Sequence, residues 1–85
     1  MRYATVTVVD PKKVEYEAEV DADADDQTLL ADLVRGLQLP KVRDDGRTPI
    51  VYGVNLIGGT KIKEGVTLQV YEMPPQAVKS LKRLG

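Results

Sequence analysis

Two stretches of strict alternation near the N-terminus constrain this chain more than any other feature. From Arg2 to Val9, the residues Ala4, Val6 and Val8 fall on one face and Tyr3, Thr5, Thr7 and Val9 on the other. The alternation repeats more cleanly further on, with Val14, Tyr16, Ala18 and Val20 on one side and Glu15, Glu17 and Glu19 on the other. A period of two marks a half-buried β-strand, because successive side chains point to opposite faces of the sheet. Asp10-Pro11-Lys12-Lys13 lies between the runs and supplies turn chemistry, so the pair is expected to close as an antiparallel hairpin. The glutamates read as a solvated outer face whose charges discourage edge pairing, with an acidic docking stripe as the sharper alternative.

The partner of this hairpin is written next. Leu29, Leu30, Leu33, Val34 and Leu37 recur at i, i+1, i+4, i+5 and i+8, which is the stripe of an amphipathic helix that must lie on a sheet. Before it, Asp21-Ala22-Asp23-Ala24-Asp25-Asp26 places carboxylates at alternate positions, a pattern that could gather a hard cation. The glycine turn and closing glutamate of a calcium loop are missing, so Asp25 or Asp26 is read as the helix cap, with acids near the positive helix end. Gly36 weakens the last turn and Pro40 forbids continuation, which ends the helix near Leu37.

Lys41 to Thr48 is a polar loop carrying Asp45-Gly46. Ile50 to Val54 reads as a third strand, and Asn55-Leu56-Ile57 as a short fourth closed by Gly58-Gly59. After the turn Lys63-Glu64-Gly65, Val66, Leu68 and Val70 alternate with Thr67, Gln69 and Tyr71 as a final strand. The glycine pair is a plain turn, since no following helix offers its N-terminus to an anion. The expected fold class is α+β: a mixed four- to five-stranded sheet packed on one helix, in a single domain over residues 1–73. Residues 74–85 form a basic C-terminal tail.

Composition narrows the function. Cysteine and histidine are both absent from the 85 residues. That removes the thiol nucleophile, the commonest metal ligands and the side chain best suited to proton transfer near neutral pH. An enzyme in its own right is not expected, nor a metal or cofactor. A net charge of -1 and the lack of tryptophan and phenylalanine argue against nucleic-acid binding. No apolar run approaches the roughly 18 residues that cross a bilayer, and the expected location is cytoplasmic.

The order of elements, the helix ending in Leu37-Gln38-Leu39-Pro40, and the segment from Tyr52 to Val70 resemble ubiquitin-like β-grasp proteins. Lys63-Glu64-Gly65-Val66-Thr67-Leu68-Gln69-Val70 looks like a shortened form of the pattern that leads into that family's last strand. The tail Leu81-Lys82-Arg83-Leu84-Gly85 is similar to the basic, leucine-containing end of ubiquitin-like modifiers, although Leu84 stands where most of them carry a second glycine. The resemblance implies a protein modifier. Its Gly85 would be adenylated by an activating (E1-like) enzyme and passed through thioesters of a transfer (E2-like) enzyme, with Leu81, Lys82, Arg83 and Leu84 recognised on the way. The alternative is a non-covalent adaptor or small subunit of a secretion or oxygenase complex. The resemblance also points to the open sheet face as the partner-binding surface, where Val9, Val51 and Tyr71 match the family's apolar patch.

Overall fold

A computed structural model describes residues 2–74 and 82–84, and within them the expected α+β arrangement is present. Strand β1 (Tyr3–Val9) and strand β2 (Glu15–Asp21) form the hairpin, followed by helix α1 (Asp26–Gly36), strand β3 (Tyr52–Ile57) and strand β4 (Thr67–Glu72). The sheet runs in the order β2-β1-β4-β3, with β1 and β4 parallel at its centre and antiparallel pairs on either side. This is a β-grasp-like fold, a mixed sheet held against one helix.

The hairpin closes because Asp10 organises its own turn. The Asp10 side chain is buried, and its Oδ1 accepts from the backbone N–H groups of Lys12 and Val14, each at 2.9 Å. Its carbonyl accepts from Lys13 N–H, and Lys13 adopts the left-handed conformation (φ 71°) of a three-residue hairpin loop. Helix α1 begins at Asp25, whose carboxylate accepts from Thr28 N–H at 2.7 Å and is thereby held below the ordinary carboxylate pKa. The helix ends as a Schellman motif: Gln38 turns left-handed (φ 54°), Gln38 N–H donates to Arg35 O, and Leu39 N–H donates to Val34 O. Gln38, and not Gly36, therefore takes the special conformation at this terminus.

The core joins the inward face of the sheet to the helix. Ala4, Val6 and Val8 of β1, Val20 of β2, Tyr52 of β3, and Val66, Leu68 and Val70 are buried with Leu29 and Leu33 of α1. Val34, Leu37 and Ile50 are only half-buried around this centre. On the apolar side of the second alternating run, which is expected to face inward, Val14 is 47% exposed and Tyr16 is 42% exposed. The Tyr16 hydroxyl reaches Asp10 Oδ2 at 3.3 Å instead, and desolvation with the neighbouring carboxylate raises its pKa.

The expected third and fourth strands are one. Tyr52, Val54 and Leu56 face the helix while Gly53, Asn55 and Ile57 face the other way, so alternation continues unbroken across Asn55. Tyr52 through Ile57 pairs residue by residue with Glu72 through Thr67, and the sheet has four strands among the described residues. The loop between α1 and β3 is itself folded back, with Val42 bridging Pro49 and Arg43 N–H donating to Thr48 O. Tyr52 Oη donates to Pro40 O at 2.6 Å and Arg43 pairs with Glu72 at 2.8 Å, which fastens that loop to the sheet.

Candidate protein-binding surfaces

Helix α1 covers one face of the sheet, and the register defines the composition of the other. Along β1 and β2 it carries Tyr3, Thr5, Thr7 and Val9 beside Asp21, Glu19, Glu17 and Glu15. Along β4 and β3 it carries Thr67, Gln69 and Tyr71 beside Ile57, Asn55 and Gly53. The ladder extends one step further, since Met73 N–H donates to Val51 O at 2.8 Å. Val51 and Met73 thus lie at the end of the same face, just outside the strands proper.

The three residues singled out from sequence are brought onto one diagonal. Val9 stands opposite Gln69 in the parallel pair, one diagonal step from Tyr71, and Tyr71 stands opposite Gly53, one diagonal step from Val51. The Tyr71 ring lies directly over Gly53, and a Cβ added at that glycine would fall 2.4 Å from Tyr71 Cζ. Glycine here serves close approach of an aromatic ring, and the ring is seated on backbone while the side chain stays half-accessible. Val51 is 56% exposed.

Sequence reasoning missed two further members of this surface, Met73 and Ile57, both exposed. Met73 continues the Thr67, Gln69, Tyr71 alternation by one step, so the pattern contained it. Ile57 was hidden by dividing β3 at Asn55. The other end of the face is acidic, with Glu15, Glu17 and Glu19 exposed along the outer strand.

The tail divides differently. Gly85 and Leu81 lie outside the described residues. Lys82, Arg83 and Leu84 are exposed, Leu84 at 89%, and belong to no strand or helix. Strand β4 ends at Glu72, two residues before Pro74, whose missing N–H cannot extend a ladder.

Three of the aspartates between Asp21 and Asp26 are engaged in local structure. Asp21 Oδ1 accepts from Asp23 N–H, Asp23 pairs with Arg2 at 3.0 Å, and Asp25 caps the helix. Among the described residues no helix is long and apolar enough to cross a membrane. Comparison of the chain with protein-family models, with curated proteins and with solved structures finds no match.

Proposed function

We propose that the chain is a non-enzymatic, ubiquitin-like protein-recognition module that docks through the open sheet face. The observation that carries this reading is the Tyr71 ring held over Gly53, with Val51, Val9 and Met73 at neighbouring register positions and Ile57 further along the same face. A tyrosine seated on backbone offers a large contact area with little side-chain entropy left to lose, which is the character of an interface anchor. Tyr71→Ala should weaken binding to a protein partner by at least ~1–2 kcal/mol while the far-ultraviolet circular dichroism stays native. Undiminished affinity after replacing Val9, Val51 and Tyr71 together would move recognition to the helix side or the tail.

A second reading adds covalent attachment through the tail. It is favoured by the end of the ladder at Met73 and by the exposure of Lys82, Arg83 and Leu84. In this reading the Gly85 carboxylate attacks the α-phosphate of ATP and displaces pyrophosphate. A cysteine thiolate of a partner enzyme then displaces AMP to form a thioester, and a target amine displaces the thiol. The cationic side chains would be steered by an acidic groove on the activating enzyme. The test is intact mass of the native protein, which must end in a free Gly85 carboxylate, followed by incubation with the cell's adenylating enzyme and ATP. An adduct lost on deleting Gly85 supports attachment, and its absence with an enzyme active on other substrates leaves the non-covalent module.

A further inference from the structure

The two end strands of the sheet are guarded differently. In the order β2-β1-β4-β3, both β2 and β3 keep one row of backbone groups without a strand partner among the described residues. On β2 the side chains of Glu15, Glu17, Glu19 and Asp21 line that margin with charge, which discourages a like strand from pairing there. β3 reads Tyr-Gly-Val-Asn-Leu-Ile and carries neither a charge nor a proline. Its margin is unguarded. The register identifies the free row. Met73 N–H donates to Val51 O at 2.8 Å, and hydrogen-bonded pairs alternate along an antiparallel ladder, so Gly53, Asn55 and Ile57 bond to β4. The N–H and C=O groups of Tyr52, Val54 and Leu56 therefore point out of the sheet, and no loop backbone of the described residues bonds to them.

Both faces beside this edge are apolar. On the helix side lies a groove of about 470 Å³ whose lining includes Leu29, Leu30, Val54, Leu56 and Ile62. On the open side Val51 is 56% exposed and Ile57 is 50% exposed, one at each end of the strand. A strand laid along this edge would inherit the same pleat. It would have to be apolar on both faces, and β3 is itself such a strand.

We propose that two copies of this chain pair through β3, antiparallel about a two-fold axis at Val54, so that the two sheets become one. The register follows from the symmetry of the strand. Residues 51–57 are centred on Val54, and an axis there sets the outward row against itself: Val54 meets Val54, and Tyr52 meets Leu56, of the second copy. Each such pair exchanges two hydrogen bonds. On the open face Val51 lies opposite Ile57 of the second copy, which brings the exposed apolar residues together at both ends. Gly53 lies opposite Asn55 of the second copy, beside the Tyr71 ring that covers the glycine. No like charges meet in this register, whereas two β2 edges would set glutamates against glutamates. A two-fold contact closes on itself and stops at the dimer. The open face stays uncovered, so the dimer does not rest on the docking reading above.

The test is sedimentation velocity of the full chain in low salt, from micromolar to about 1 mM, with amide hydrogen exchange at both ends of that range. A dimer should form as concentration rises. The Tyr52, Val54 and Leu56 amides should gain protection with it, while those of Glu17 and Glu19 on β2 do not. Val51 and Ile57 are exposed, so double variants at these positions should keep native circular dichroism. Val51→Lys with Ile57→Lys sets like charges opposite each other at both ends of the pairing, and Val51→Lys with Ile57→Glu sets opposite charges there. The first should dimerise about tenfold more weakly than the second. A chain that stays monomeric throughout, a dimer that protects the β2 amides instead, or equal association of the two variants would overturn the proposal.

Discussion

Gly53→Ala should change stability with opposite sign in two backgrounds. In the native sequence the new Cβ would lie 2.4 Å from Tyr71 Cζ, 2.5 Å from its Oη and 2.9 Å from its Cε1. Carbon atoms in contact prefer about 3.5–4.0 Å, so the ring must retreat by roughly 1 Å or leave its seat. Overpacking of this kind costs about 1–3 kcal/mol. Against it, alanine in a strand is favoured over glycine by roughly 0.5–1 kcal/mol, and Gly53 has no left-handed backbone that would cancel this gain. The expected net loss is up to about 2.5 kcal/mol. With Tyr71→Ala already in place the obstruction is gone, and Gly53→Ala should stabilise by roughly 0.5–1 kcal/mol. Urea unfolding followed by circular dichroism measures all four corners of the cycle, with a coupling of about 1–3 kcal/mol expected. The same sign in both backgrounds would show that the tyrosine does not rest on the glycine in solution.

Leu33 is buried against the sheet, so Leu33→Ala should cost about 2–5 kcal/mol in the same unfolding assay, and a loss below this range would mean the helix is loosely held. Asp25→Ala removes the cap on Thr28 N–H and should lower Tm and speed amide exchange in the first turn of α1, whereas Asp26→Ala should leave the Thr28 amide unchanged. The Asp45 carboxyl is held down to about 2, chiefly by hydrogen bonding from the Thr48 side chain and then from the Thr48 and Arg47 N–H groups. Because its folded pKa lies below the ordinary 3.8, its contribution to the loop is complete above about pH 4 and is lost as pH falls through 2. The Arg47 and Thr48 amide resonances should titrate with a midpoint near that value, and a midpoint near 3.8 would contradict the hydrogen-bonded turn.

Much of the fold is legible in the chain because it is set by periods and local caps. The two-residue alternation of Ala4, Val6 and Val8, and of Ala18 and Val20, selects the buried face without reference to any other element. Asp10 and Asp25 bond to backbone only a few residues away, so turn and cap chemistry is readable locally. The helix stop was foreseen near Leu37, yet the left-handed residue is Gln38, since the Schellman bonds to Arg35 and Val34 outweigh the usual preference for glycine there. The candidate face was legible in part. Val9, Val51 and Tyr71 follow from alternation, while Ile57 was lost with the imagined break at Asn55.

What the sequence by itself determined is thus the set of elements, their apolar sides and the acidity of β2. Pairing between distant strands depends on contacts far apart in the chain, and only the tertiary structure decided it. The parallel union of β1 with β4 places Val9 beside Gln69, and the β3–β4 register seats Tyr71 on Gly53. The same assembly leaves β3 at the margin, where its even-numbered backbone groups point outward beside an apolar groove. A two-residue period says which side of a strand is buried, but not which strand lies next to it, because every strand with an apolar face satisfies that period equally well.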